Sequence, residues 1–280
     1  MANEEQRTGT FGAGDVTIFY RVFGRPGRTP ILIIHGSNYY DSYDWIDVAS
    51  ALAGDREVVV PDKRGWGEST WSPSKNYSRD AFLDDMQAAI AAMKWEKPII
   101  MGHSAAGPVI ISFAVNHPEQ LSKLILVDTQ MNRDKAAPAS TGNPLPIFPT
   151  VEAAMAQFAK LDNPPRFALD RARALEALKK VEGGYMLKRD PDNTNTIPLD
   201  QPGYTPRRPI REMWEELAMV RTPTLLIRGT RSSRYPAPVI ERLTREYPHI
   251  QQAPVDSEHD VSRMAPAAVA EAVRKFVGTN

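Results

Sequence analysis

A serine framed by small residues is the first feature of this sequence that could carry out chemistry. Ser104 lies in the segment Gly102-His103-Ser104-Ala105-Ala106-Gly107, between a short apolar run and a helical pattern. A sharp turn from a buried strand into a helix strains the serine backbone and leaves no room for side chains two residues to either side. Gly102 and Ala106 meet that need, although glycine is the usual residue at the second position. The segment predicts a nucleophile elbow, and the simpler alternative is a helix with an N-cap serine.

Polar residues and glycine also follow four other apolar runs. These segments are His35-Gly36-Ser37, the stretch from Asp62 to Ser69, Asp128-Thr129 and Arg228-Gly229-Thr230. In an open parallel sheet, ligands bind beyond the carboxyl ends of the strands. The sequence therefore predicts one shared crevice that contains Ser104 and these segments.

The apolar runs themselves predict the strands that bring these residues together. Each is short, rich in Ile, Val or Leu, and without alternation, which is typical of strands covered on both faces. The runs are residues 31–34, 58–60, 99–101, 124–127 and 225–227, and helical patterns cover 45–52, 78–93, 106–117, 238–247 and 265–277. Residues 11–23 alternate and predict an antiparallel edge hairpin. This order favours an α/β fold with a mostly parallel sheet flanked by helices.

The stretch from residue 131 to residue 213 differs from the rest of the chain. It holds 11 of the 24 prolines and lacks a strong strand run. Helical patterns cover 151–161 and 166–181, and Gly183 and Gly184 supply a stop for the second. We predict a core formed by residues 1–130 and 214–280, with residues 131–213 as an inserted helical cap. A surface excursion without a role is the alternative, but long insertions in compact domains are usually functional.

Composition excludes several classes of partner. The 34 basic and 34 acidic side chains balance, so nothing in the charge predicts binding to nucleic acid or to a membrane surface. The chain has no cysteine and its histidines are scattered, so no metal site is predicted. The sequence also contains no glycine-rich loop of the kind that binds phosphate. The N-terminus has no apolar stretch as long as that of a signal peptide, and no apolar segment is long enough to span a membrane. We expect a soluble, cytoplasmic protein that binds a small molecule.

Several of these motifs occur together in one known family. His35-Gly36, the pattern of Asp62, Arg64, Gly65, Gly67 and Ser69, Gly102-His103-Ser104 and a late His259 resemble the α/β-hydrolase fold superfamily in order and spacing. The resemblance covers nearly the whole chain. It implies an oxyanion hole made by two backbone N–H groups, those of Ala105 and Ser37. Such a donor typically stabilises the charge on the attacked carbonyl oxygen by ~3–4 kcal/mol.

The same resemblance indicates which histidine is the general base. His259 follows an apolar stretch near Val255 and precedes the C-terminal helical pattern, which is where the family carries its base. We therefore predict His259, with His35 as the alternative.

The acid of the triad departs from the common family pattern. That pattern places an Asp shortly after the run 225–227, but residues 229–235 contain no carboxylate and Ser233 stands at the usual position. A variant of the family carries the acid one strand earlier, where Asp128 follows the run 124–127. We predict Asp128 as the acid. The alternatives are Asp256 and Glu258, with Asp128 then only a strand-end residue.

These residues predict a serine hydrolase that needs no cofactor. Ser104 would attack a carbonyl carbon, His259 would accept its proton, and Asp128 would fix the imidazole. The predicted substrate is a small ester, lactone or amide. The same fold also supports C–C bond hydrolases and cofactor-independent oxygenases or perhydrolases, which oxygen or peroxide consumption would reveal. A small-molecule receptor with residual hydrolase activity is an alternative of another class, marked by near-stoichiometric turnover.

Overall fold

A computed structural model describes residues 6–36, 41–129, 131, 145–161, 164–193, 204–209 and 211–278. Within these residues the strands are β1 (Arg7–Ala13), β2 (Val16–Phe23), β3 (Arg28–Ile34), β4 (Arg56–Pro61), β5 (Ile99–His103), β6 (Lys123–Val127), β7 (Leu178–Val181), β8 (Gly184–Leu187), β9 (Thr224–Gly229) and β10 (Gln251–Val255). Eight of them form one sheet in the order β1-β2-β4-β3-β5-β6-β9-β10, and β7 pairs with β8. β1, β2 and β4 pair antiparallel, and all neighbours from β4 to β10 are parallel.

Helices connect and cover these strands. They are α1 (Ile46–Leu52), α2 (Arg79–Ala92), α3 (Gly107–Asn116), α4 (Val151–Phe158), α5 (Arg171–Ala177), α6 (Met213–Met219), α7 (Ala237–Glu246), α8 (Val261–Met264) and α9 (Pro266–Val277). Ser78 and Thr150 cap α2 and α4, because each side-chain oxygen accepts a backbone N–H of the first turn. None of the helices that the structure describes has the length and apolarity to cross a membrane.

The central strands are buried on both faces, which explains their continuous apolar sequence. Along β3, Leu32 and Ile34 pack in a core with α2 and α3, whereas Ile31 and Ile33 pack in a second core with α1 and α9. Side chains of a strand alternate between faces, so a strand covered on both sides needs an apolar residue at every position. The predicted mostly parallel sheet flanked by helices, with its antiparallel edge hairpin, is confirmed.

The helix predicted over residues 166–181 is wrong at both ends. A turn of 3₁₀ helix, Arg166–Ala168, precedes α5, and α5 ends at Ala177, where the chain enters β7. Gly183 and Gly184 have φ angles of 84° and 146°, which a tight turn between two strands can use because glycine lacks a Cβ. The two glycines therefore reverse the chain into β8, and Phe148 adds a bridge to Tyr185 of that hairpin.

A buried ion cluster fastens the segment 145–193 to the sheet. This segment has its own apolar cluster, which includes Phe148, Phe158 and Phe167. Arg173 of α5 is fully buried, and its Nη2 donates to Asp41 at 2.7 Å and to Asp44 at 3.0 Å. Asp41 and Asp44 lie just beyond β3, so the contact joins the segment to the carboxyl edge of the sheet. Burial raises the pKa of Asp44 to about 6, although the Arg173 charge opposes the rise.

We expect Arg173→Met to destabilise the protein by about 3–5 kcal/mol, because it leaves two buried carboxylates without their counter-ion. The matched control is Arg171→Met, since Arg171 pairs with Glu152 where both side chains are 62% exposed. That change should leave the stability almost unchanged, because exposed ion pairs contribute little. Urea unfolding of both variants measures the difference, and equal losses would contradict a dominant role for the buried cluster.

Candidate active site

The backbone around Ser104 forms a tight turn between β5 and α3. Ser104 has a φ of 53°, in the left-handed region that non-glycine residues rarely adopt. A Cβ added to Gly102 would lie 2.7 Å from Ile110 and 3.3 Å from the Cβ of Ala106, so position 102 has no room for a side chain. Ala106 is fully buried against this turn, which shows that alanine fits where glycine is usual.

Three side chains from separate segments, one of them Ser104, form a chain of hydrogen bonds. The Ser104 Oγ lies 2.9 Å from Nε2 of His259, and Nδ1 of His259 lies 2.6 Å from Oδ2 of Asp128. An ionised carboxylate only accepts hydrogen bonds, so Nδ1 carries a proton and Nε2 is left to accept the serine proton. Ser104 follows β5, Asp128 follows β6 and His259 follows β10. The arrangement can deprotonate a serine hydroxyl.

Asp128 is held by more than its bond to His259. It is completely buried, its Oδ1 accepts the N–H of Gly229 at 2.8 Å, and its Oδ2 accepts the hydroxyl of Ser232 at 2.6 Å. The resemblance to the family places Ser233 where the acid usually stands, but Ser233 is exposed and its neighbour Ser232 is the buried residue. The loop carries two adjacent serines, and composition gives no signal for which of them faces inward.

The alternative acids lie elsewhere. Asp256 pairs with Arg231 at the surface, where its side chain is 84% exposed. Glu258 is half-buried. Within the described part of the chain, the ring of His259 has its hydrogen bonds with Ser104 and Asp128.

His35 is occupied in a way that leaves its ring no role as a base. Its Nδ1 donates to the carbonyl of Gly36 at 2.8 Å, and its Nε2 accepts the N–H of Lys63 at 2.9 Å. Burial and, secondly, the charge of Lys63 hold the pKa of His35 well below its usual value. His35 therefore stays neutral and joins the ends of β3 and β4.

His103 supports the segment that carries His259. Its Nε2 lies 3.0 Å from the main-chain carbonyl of His259, and a carbonyl only accepts, so Nε2 is the protonated nitrogen. The two rings also pack with their centroids 4.8 Å apart. Burial, followed by the charge of His259, lowers the pKa of His103 to about 3. The ring of His103 is therefore neutral at neutral pH.

The predicted oxyanion donors are described only in part. Ala105 is half-buried in the single 3₁₀ turn Ser104–Ala106. Ser37 lies outside the described residues. Gly36 approaches the elbow closely, because a Cβ added there would lie 3.3 Å from that of Ser104 and 2.8 Å from Nδ1 of His103. The chain after β3 thus starts directly beside the serine.

No cluster of three or more His, Cys, Asp or Glu residues in the described ranges has the arrangement of a metal site. Of the arginines between residues 131 and 213, the side chain of Arg166 pairs with Asp47 at 3.1 Å, and the backbone of Arg189 forms a β-bridge with Trp66.

A pattern of residues shared by one protein family matches positions 29–262, and that family is described as alpha/beta hydrolase fold. The chain is 31% identical over 100 residues to a 2-hydroxymuconate semialdehyde hydrolase of Pseudomonas sp. strain CF600, a match that covers 35% of each protein. It is 27% identical over 278 residues to a 3-hydroxybutyrate-oligomer hydrolase of Cupriavidus necator, covering 95% of this chain and 94% of the relative.

A thioesterase domain from the curacin biosynthetic pathway has a similar structure. The two superpose with a TM-score of 0.81 at 21% identity, over 97% of this chain and 99% of the thioesterase domain. At that identity the likeness concerns the fold alone.

Lys63, beside His35, is expected to make the stability of the fold depend on pH. Its ammonium group is buried 4.2 Å from the centre of the Trp66 ring and has no hydrogen-bond partner within the described residues. Burial, with a smaller effect of the Arg189 charge, lowers the pKa of Lys63 from 10.5 to about 7. Between these two pH values the unfolded chain binds a proton that the folded chain does not, so the lysine destabilises the fold.

We therefore expect Lys63→Met to raise the melting temperature most at and below pH 7. The gain should shrink as the pH rises from 7 towards 10.5, where the lysine is neutral in both states. Thermal unfolding across this range is the measurement, and exposed Lys97→Met is the control. A stabilisation that does not vary with pH would contradict the depressed pKa.

Proposed function

Because the chain belongs to the alpha/beta hydrolase fold family, we propose that it is a serine hydrolase that cleaves a small carbonyl compound through an acyl-enzyme on Ser104. The observation that carries this proposal is the continuous hydrogen-bonded relay from Ser104 to His259 to Asp128, with distances of 2.9 and 2.6 Å. Nucleophile and base lie within the reach that proton transfer requires, and the base is oriented by a third group.

The relay assigns each residue a step. Nε2 of His259 takes the hydroxyl proton while Oγ of Ser104 attacks the carbonyl carbon, and the carboxylate of Asp128 stabilises the resulting imidazolium. The N–H groups of Ala105 and Ser37 are the proposed donors to the oxyanion. The imidazolium then gives its proton to the leaving group. A water molecule, deprotonated by the same nitrogen, releases the acid from Ser104.

The relatives support hydrolysis as the reaction class. The match to the 3-hydroxybutyrate-oligomer hydrolase spans nearly the whole of both chains, whereas the match to the semialdehyde hydrolase spans about a third of each. We therefore propose an ester, lactone or amide as substrate, with oligomers of 3-hydroxybutyrate as the first compounds to assay. An acyl-enzyme on serine serves all three bond types.

We also propose that residues 131–213 form a cap over a core of residues 1–130 and 214–280. The separate apolar cluster of the described part of this segment supports the division. Arg173 contacts Asp41 and Asp44 beyond β3, and the carbonyl of Lys188, just after β8, accepts the N–H of Gly67, which follows β4. Both contacts lie at the carboxyl edge of the sheet, where the relay is. A cap in that position would exclude water and shape the substrate pocket.

The experiment that tests the function combines labelling with turnover. A fluorophosphonate should add once to the wild-type protein, at Ser104, because a base-activated serine is much more nucleophilic than other serines. Intact mass and peptide mapping locate the adduct, and chromogenic esters, lactones and amides together with 3-hydroxybutyrate oligomers report hydrolysis. Ser104→Ala should lose both the adduct and the hydrolysis. Hydrolysis that survives in Ser104→Ala would overturn the proposal.

A second prediction concerns the acid. Asp128→Asn should lower kcat at least ~100-fold, because an amide that donates to Nδ1 selects the wrong imidazole tautomer. That factor corresponds to about 2.7 kcal/mol of transition-state stabilisation. Asp256→Asn is the matched control and should leave kcat within a few-fold of wild type, since its carboxylate lies at the surface. Steady-state kinetics decide, and an Asp128→Asn enzyme with nearly full activity would make Asp128 a strand-end residue only.

A further inference from the structure

The end of β9 and the loop that follows it contain no carboxylate, yet within the described residues they supply two of the three hydrogen bonds that Asp128 accepts. The N–H of Gly229 binds Oδ1 at 2.8 Å and the hydroxyl of Ser232 binds Oδ2 at 2.6 Å. The third bond comes from Nδ1 of His259, also 2.6 Å from Oδ2. Ser232 and His259 therefore share one oxygen of the carboxylate.

The direction of the Ser232 hydroxyl is fixed by its surroundings. The N–H of Arg234 lies 3.3 Å from the Ser232 Oγ and can only donate to it. The hydroxyl proton is thus left for Asp128, and 2.6 Å is the length typical of an O–H donor on a carboxylate. The backbone N–H of Ser232 bonds to the carbonyl of Gly229 at 3.2 Å, which sets the position of the side chain.

Two donors on two oxygens prevent rotation of the carboxylate. With the Gly229 bond alone, the group could turn about its Cβ–Cγ bond and move Oδ2 away from the imidazole. The Ser232 bond supplies the second point of attachment, so the two donors fix the plane of the carboxylate without the help of His259.

We propose that Ser232 is a positioning residue of the relay, which holds Oδ2 of Asp128 against Nδ1 of His259. The proposal rests on the proposed serine hydrolase function. Ser232 is buried and its hydroxyl binds Asp128, so it would act on the reaction through that carboxylate. Its loss should slow the chemical step without weakening the binding of a reagent at Ser104.

The test uses fluorophosphonate inactivation of the full-length protein, which needs no known substrate. Ser232→Ala should lower the maximal rate of inactivation 10- to 100-fold and leave the half-saturating concentration unchanged. Ser232→Thr keeps the hydroxyl and should restore the rate to within about fivefold of wild type. Ser233→Ala is the matched control, because the adjacent serine is exposed, and it should react at the wild-type rate. Melting temperatures establish that all three variants are folded.

The hydrogen bond itself provides a readout that does not depend on catalysis. The proton between His259 and Asp128 should give a far-downfield proton NMR signal that disappears in His259→Ala. The signal should move in Ser232→Ala and stay in place in Ser233→Ala.

The outcomes separate the two proposals. If the wild-type protein is not labelled at Ser104, the hydrolase function fails, and an unmoved NMR signal in Ser232→Ala overturns the role of Ser232 on its own. If the wild type is labelled, a Ser232→Ala rate within twofold of wild type overturns the role of Ser232. A Ser232→Thr variant as slow as Ser232→Ala also overturns it, because the loss would then follow from packing rather than from the hydroxyl.

Discussion

A carboxylate buried as completely as that of Asp128 must be surrounded by hydrogen-bond donors, because an unpaired charge inside a protein costs several kcal/mol. The donors are Gly229 at the end of β9, Ser232 in the loop after it and the ring of His259. The two segments that follow β9 and β10 are therefore drawn towards the end of β6. The parallel sheet makes this convergence possible, since it brings the ends of β5, β6 and β9 to the same edge.

Part of the strained backbone lies where the relay is assembled. Ser104 and Asp128 are two of the four non-glycine residues with positive φ among those that the structure describes. Such conformations cost of order 1–3 kcal/mol each and persist when surrounding contacts hold them. Here those contacts are apolar cores on both faces of the central strands and closely packed glycines. Beside Ser104, Gly107 packs so tightly that a Cβ would clash with Thr129.

Features that depend on local sequence were predictable, and features that depend on packing were not. The apolar runs predicted the core strands, because a strand buried on both faces needs apolar residues at nearly every position. The turn around Ser104 followed from small residues at fixed positions. By contrast, residues 178–181 have a helical pattern but form β7, because the paired glycines reverse the chain and β8 supplies a partner. Ser232 and Ser233 cannot be told apart without knowing which one faces Asp128. Ser37 itself lies outside the described residues.

The ion cluster around Arg173 has a consequence for how such a protein can diversify. Insertions over a common sheet are often regarded as exchangeable modules that bring new specificity to an old core. In this chain the segment that contains α5 and the edge of the sheet are joined by one buried ion cluster, with the cation on α5 and the anions, Asp41 and Asp44, beyond β3. A foreign insertion that lacked the guanidinium would strand both carboxylates in the interior. Lineages that replace this segment should therefore replace the two aspartates with it, and the three positions should change as a unit.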